Sequence, residues 1–215
     1  MGRKSRAKAI PGHHDQIKHH HKSGISRRTM MTIAAIAGVV VLVAAVAYFG
    51  FIRPEAARRA AEQAAALGTP DRVRLQTSQG EVVLEVYPKA MPVTVANFEK
   101  LVQAKFYDGL KWHRVESWVA QTGDPTATGT GGSEETIKLE TTPYLSNVRG
   151  AIGMARRSDD VNSASSQFYI VKADATSLDG DYAVFGRVVE GMDVVDKLTV
   201  NDTIVHAMMD PVSSK

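Results

Sequence analysis

The apolar and polar positions divide the chain into three stretches with different periods. From Thr29 to Ile52, 24 residues carry no charge, and the centre is almost wholly Ala, Val, Ile and Leu. A helix of that length reaches about 36 Å, enough to cross a hydrocarbon layer of about 30 Å with some tilt. Tyr48 and Phe49 lie near its far end, where aromatic rings favour the interface, and Arg27, Arg28 and Arg53 close the two ends. Residues 53–70 then read as an Ala-rich helical spacer. Pro54 suits a first helical position, the alanines favour helix, and Gly68 with Pro70 stops it.

From residue 71 the pattern shortens to a period of two, broken by two helical stripes. Residues 72–77 and 81–86 read as two strands joined as a hairpin by Ser78-Gln79-Gly80. Residues 91–104 form a helix with Pro92 in its first turn and an apolar stripe of Val95, Phe98, Leu101 and Val102. Short apolar runs follow at 112–115, 118–121, 137–139, 150–155, 167–171 and 183–188. A helix fits 192–198, and a last strand 203–208. About eight short strands with two helices predict a mainly β domain: an eight-stranded antiparallel closed barrel capped by two α-helices and preceded by one transmembrane helix.

Charge sharpens this division. The chain has 215 residues and a formal net charge of +3. Residues 1–28 hold eight Lys/Arg and one acid, Asp15, for a net of +7; residues 71–215 hold 15 Lys/Arg and 20 acids, for a net of −5. A basic head before an apolar span predicts a cytoplasmic N-terminus and an extracytoplasmic domain. The acidic domain argues against nucleic acid as a partner. With no cysteine, disulfides, thiol nucleophiles and thiolate metal sites are excluded. His13, His14, His19, His20 and His21 could together bind a divalent metal, but in a polar tail without core-forming residues they read as disordered, or as a cloning remnant. Two export readings compete with a retained anchor. Ala45-Val46-Ala47 resembles a signal-peptidase site, which would give a secreted protein, and residues 26–31 loosely resemble a twin-arginine signal. The apolar run is longer than a usual signal core, which favours the anchor.

Several strings then appear in order: Trp112-His113-Arg114-Val115, Gln121-Thr122-Gly123-Asp124-Pro125, residues 150–155, residues 166–170, Leu178-Asp179-Gly180 and Val184-Phe185-Gly186. Together they resemble the cyclophilin family of peptidyl-prolyl cis-trans isomerases, over about Val73 to Leu198. The resemblance implies an eight-stranded barrel with a helix at each end, a groove for proline-containing peptides on its outer face, and a reaction that needs no cofactor or metal. It implies Arg114 as the catalytic residue and Gln121 as its orienting partner, with Gln167 a second glutamine of the groove. Trp118 and Val119 align with the lining of the proline pocket, Leu178 with another wall, and Ala155 with a backbone contact. Tyr169 stands where the family usually has Phe, Tyr182 where it often has His, and Arg156 where it commonly has Asn. Arg156 is expected to favour acidic neighbours of the proline.

The chain departs from the family between Arg114 and Gln121, which lie seven positions apart where eight is common. Glu116-Ser117 replaces the usual Pro-Gly. His113, preceding the arginine, reads as structural because this reaction transfers no proton. Gly129–Gly132 resembles a phosphate loop superficially, lacks its Lys, and reads as a flexible loop beside the groove.

These readings make residues 1–28 a basic cytoplasmic tail, 29–52 a membrane span contacting the bilayer, 53–70 a spacer and 71–215 an isomerase domain. It would act as a monomer on unfolded or exported proteins. Two alternatives remain: a membrane-tethered proline-peptide-binding or chaperone module with weak or no turnover, and a structural membrane protein whose partner site is the Ala-rich spacer. N-terminal sequencing of the mature protein is expected to show the apolar segment retained; a mature start at Tyr48 contradicts the anchor.

Overall fold

The structure is a computed structural model that describes residues 26–210. The histidine cluster lies outside the described residues. The chain divides into two compact units, one ending at Glu55 and one running on from Ala56.

Helix α1 (Arg27–Ala47) begins at Ser26, whose hydroxyl accepts a hydrogen bond from the Thr29 N–H at 3.2 Å. A π-helical turn, Tyr48–Ile52, joins it to α2 (Arg53–Leu67). The π turn has a local cause. Pro54 has no N–H and its ring crowds the carbonyl four residues back, and the widened turn, with the Arg53 N–H on the Tyr48 carbonyl, accommodates it. Arg27–Leu67, taken through this turn, is the one helix among the described residues long and apolar enough to cross a membrane by length and composition. In the second unit, the end of α2 is bonded to the β-rich domain. Gln63 Nε2 donates to the Tyr144 carbonyl at 2.9 Å, and Lys89 Nζ donates to the Ala65 carbonyl at 2.8 Å, satisfying a C-terminal helix acceptor.

The domain is one antiparallel sheet of eight strands: β1 (Asp71–Thr77), β2 (Gly80–Val86), β3 (Arg114–Val115), β4 (Val119–Thr122), β5 (Ala151–Met154), β6 (Phe168–Val171), β7 (Val184–Glu190) and β8 (Ile204–Asp210). Their spatial order is β3-β4-β6-β5-β7-β2-β1-β8, curling into a half-barrel. The edges β3 and β8 form no ladder with each other. Just before them, Lys111 and Thr203 make an isolated bridge, supported by the Trp112 N–H on the Asp202 carbonyl at 2.8 Å. The predicted strand 137–139 is a loop with one bridging residue, Ile137, opposite Ala164; Ile137 and Leu139 pack on the core from that loop, which explains their apolar pattern.

Helices α3 (Pro92–Gln103) and α4 (Met192–Lys197) both pack onto the core. The α3 stripe sends Phe98 into its centre. The Phe98 ring lies 5.4 Å from Tyr107, 5.3 Å from Phe168 and 5.1 Å from Phe185, centroid to centroid, and all four are fully buried. Trp112 meets Phe168 edge-on at 6.1 Å. One residue from a helix thus holds rings from β6, β7 and the loop after α3. Phe98→Ala is expected to lose about 3–5 kcal/mol of stability through the cavity it opens, measured by urea unfolding followed by far-UV circular dichroism.

Candidate active site

The site begins as a row across the sheet. Arg114 on β3 pairs with Gln121 on β4, Gln121 with Tyr169 on β6, and Tyr169 with Gly153 on β5. The alternate row, Ala120, Ile170 and Ile152, is buried in the core. Gly153 is required here: a Cβ at that position would stand 2.3 Å from the Tyr169 hydroxyl oxygen. The Tyr169 ring lies across the missing side chain. Its hydroxyl donates to Asn147 Oδ1 at 2.8 Å, and burial pushes its pKa up. Asn147, itself fully buried, donates through Nδ2 to Asp179 Oδ1 at 2.8 Å, next to Leu178. The base and one wall of the site are therefore tied together through a buried amide.

Arg114 is half-exposed at the open end of the row. Its Nη1 donates to Gln121 Oε1 at 3.3 Å, and Gln121 Nε2 donates to Gln167 Oε1 at 2.7 Å. Gln167 Nε2 donates to the carbonyls of Gly129 at 3.0 Å and Gly131 at 2.7 Å. Each amide uses its oxygen toward one partner and its nitrogen toward the next, so the chain of bonds has one consistent direction.

That chain ends on Asp124. Its side chain is buried and gathers the N–H groups of Thr126, Thr128, Gly129 and Gly131 at 2.7–3.1 Å. Burial alone would raise the carboxyl pKa. The hydrogen bonds from Thr126, Gly131 and Gly129 outweigh it and hold the group well below the usual carboxylate range. The loop that reads as flexible in sequence is therefore pinned at its centre by a carboxylate and at its carbonyls by Gln167.

The hairpin between β3 and β4 is tight: the Glu116 N–H bonds the Val119 carbonyl at 2.8 Å, leaving Ser117 and Trp118 as its loop. With this turn, Val119 is buried beside Tyr169 and Val184, while Trp118 stands half-exposed at the rim. Arg114, Trp118, Val119, Gln121, Ala155, Arg156, Tyr169, Leu178 and Tyr182 line one cavity of about 350 Å³. Gln167 lies in an adjoining cavity of about 320 Å³, which shares Gln121, Ala155 and Arg156 with the first. Tyr182 lies under the Arg156 guanidinium at 4.6 Å and edge-on to Tyr169 at 6.2 Å. Arg156 is held by the carbonyls of Asp181 and Arg157, at 2.9 and 2.8 Å. His113 is half-buried; burial lowers its pKa, against the opposing influence of Asp124 and Gln167.

Sequence reasoning did not assign Asp124, Asn147 or Glu116 to the site. The Asp-Pro-Thr step before a Gly-rich run was a turn signal that could have drawn notice to Asp124. Asn147 gave no such signal, because its partners Tyr169 and Asp179 are 22 and 32 positions away.

The outer face of the curled eight-stranded sheet thus carries a cavity walled by Trp118, Val119, Tyr169 and Leu178, with Arg114, Arg156 and Gln121 among its lining and Gln167 in the cavity beside it. The family described as cyclophilin type peptidyl-prolyl cis-trans isomerase/CLD matches residues 72–213, and the chain belongs to it. It is 38% identical over 141 residues to a peptidyl-prolyl cis-trans isomerase of Helicobacter pylori, covering 64% of this chain and 86% of that protein. It is 42% identical over 127 residues to peptidyl-prolyl cis-trans isomerase B of Bacillus subtilis, covering 58% and 87%. Among solved structures it resembles a Cryptosporidium parvum cyclophilin type isomerase crystallised in the presence of the dipeptide Ala-Pro, with a TM-score of 0.61, 26% identity, and coverage of 65% of this chain and 98% of that one.

Asp124→Asn is expected to cost about 2 kcal/mol or more, since the new amide would turn an N–H toward donors the carboxylate now accepts. The sign with pH follows from the lowered pKa. The stabilisation is complete above the ordinary carboxylate range and fades as pH falls from about 4 toward the folded-state value. Urea unfolding of both proteins at pH 7 and pH 3.5 checks this: the gap between them is expected to narrow at the lower pH.

Proposed function

We propose that Arg114 catalyses rotation about X-Pro bonds bound in the cavity of Val119, Tyr169 and Leu178, and that the domain does so outside the cytoplasmic membrane. Peptidyl-prolyl cis-trans isomerase activity is the activity of this family. The observation that supports the assignment of the residue is the bonded series Arg114–Gln121–Gln167, whose first two members line the cavity walled by Trp118, Val119, Tyr169 and Leu178.

The chemistry asks little of a protein. Amide resonance sets a barrier of about 18–20 kcal/mol, while the two isomers differ by only about 0.5–1 kcal/mol. In the twisted state the prolyl nitrogen loses conjugation and becomes a hydrogen-bond acceptor. A guanidinium N–H placed beside it stabilises that state more than either planar one, which is the condition for catalysis. Acceleration of about 10⁴-fold needs about 5.4 kcal/mol. A charged hydrogen bond contributes about 1.5–3 kcal/mol, and removal of water by an apolar pocket strengthens it. The cavity walls would hold the pyrrolidine ring, while Gln121 and Gln167 hold the arginine and contact the peptide backbone. Arg156 supports the expected preference for acidic neighbours of the proline.

The position of the domain rests on the +7 head and the uncharged span of residues 29–52. On this reading the protein is a single-pass, monomeric membrane protein, N-terminus inside, whose clients are exported chains. Its sheet acts as a barrel closed at the Lys111–Thr203 seam. A second reading, peptide binding with weak turnover, draws support from the ion pair between Glu116 and Arg114 at 2.7 Å, which offsets the charge that would act on the amide.

The test is exchange spectroscopy on an Ala-Pro peptide with the full chain in detergent. Wild type is expected to accelerate exchange strongly, and Arg114→Ala to lose about 10²-fold or more in kcat/KM. An Arg114→Ala protein as fast as wild type overturns the assignment. A wild type without acceleration favours the binding module.

A further inference from the structure

We infer that Glu116 is a positioning residue for Arg114, fixing which edge of the guanidinium is presented to the bound peptide. This rests on the reading of Arg114 as the catalytic group.

Glu116 sits at the start of the two-residue hairpin loop and uses both carboxylate oxygens. Oε1 accepts from Arg114 Nε at 2.7 Å, and Oε2 accepts from Trp118 Nε1 at 2.8 Å. The guanidinium carbon lies 5.1 Å from the centre of the Trp118 ring. One carboxylate thus joins a cation to the aromatic platform beneath it. The Nε edge is occupied by Glu116 and Nη1 by Gln121, which leaves Nη2 as the guanidinium nitrogen with no hydrogen-bond partner among the described residues. The terminal edge, Nη2 above all, is then the edge that meets a peptide in the cavity Arg114 lines.

This needs the shortened hairpin. Glu116 and Trp118 lie on either side of Ser117, and the bond from the Glu116 N–H to the Val119 carbonyl turns both side chains to the same rim. An unpaired arginine side chain has many rotamers, and fixing it in advance removes an entropic cost from the bound state. The Arg114–Glu116 pair is also exposed, at 42% and 46% of the side chains, so its effect is modest and screened by salt.

The experiment uses the full chain in detergent micelles, with exchange spectroscopy on an Ala-Pro peptide and ¹H–¹⁵N spectra of the two tryptophan indoles. Glu116→Ala is expected to lower kcat about fivefold, equivalent to about 1 kcal/mol, with KM nearly unchanged. The Trp118 indole N–H is expected to shift upfield while buried Trp112 stays in place. Glu116→Gln, which keeps one acceptor oxygen, is expected to recover part of the activity. Ser117→Ala, in the same turn, is expected to behave as wild type. In an Arg114→Ala background the Glu116 substitution is expected to add nothing, because its effect runs through the arginine. The inference is overturned if Glu116→Ala retains wild-type kcat, if kcat falls while the Trp118 indole signal does not move, or if the two substitutions add independently. If Arg114→Ala is inactive and Glu116→Ala is wild type, this inference alone fails; if Arg114→Ala is fully active, the reading of Arg114 fails.

Discussion

The candidate site depends on a fully buried carboxylate that lines neither of its cavities. Asp124 collects four backbone N–H groups of residues 126–131 and so fixes a Gly-rich loop that would otherwise have no regular structure. Once fixed, that loop presents two carbonyls to Gln167, whose oxygen takes Gln121, whose oxygen takes Arg114. A negative charge in a polar nest is thereby converted, over four links, into the placement of a positive charge at a rim. The order of strengths is consistent with this direction. Bonds to the ionised carboxylate are the strong ones, and those between neutral amides are weaker and more easily re-aimed.

The apolar side of the domain supplies the rigid frame for this chain. Phe98 holds Phe168, Phe185 and Tyr107 together, and Phe168 is the immediate neighbour of Gln167 and Tyr169 on the other face of β6. Alternation along one short strand therefore places core packing and the lining of the outer-face cavities on successive residues. Gly153 and Tyr169 show the same economy across strands: an absent side chain on β5 lets a phenol from β6 lie flat, and Asn147 satisfies the hydroxyl that burial would otherwise leave unpaired. On the far side of the row, the tight hairpin brings Glu116, Trp118 and Arg114 to one rim.

Much of the fold was legible because its signals are local. The 72–86 hairpin follows from two strand-like segments around a Gly turn, the Pro92 helix from its Val95–Phe98–Val102 stripe, and the strands around Gln121 and Tyr169 from short apolar runs. Residues 137–139 misled, since a loop that packs Ile137 and Leu139 inward has the same composition as a strand. In the site, Arg114, Gln121 and Gln167 could be picked out by a resemblance carried in short strings. Asn147 could not be assigned a role, because its partners Tyr169 and Asp179 are near only in the folded domain; Asp124 bonds the loop that directly follows it, and what was not legible is the link from that loop to Gln167. Glu116 stood out as part of the Glu116-Ser117 departure from the family; its bonds to Arg114 and to the Trp118 indole depend on the turn.

On the proposed reading, a planar donor fork held in register by Gln121, and not positive charge alone, lowers the barrier to rotation. The most direct measurement is the kcat/KM for Ala-Pro exchange in the Arg114→Lys protein. Lysine keeps the charge and loses the fork. The account predicts a fall of about tenfold or more with the protein still folded; a lysine variant as fast as wild type would contradict it.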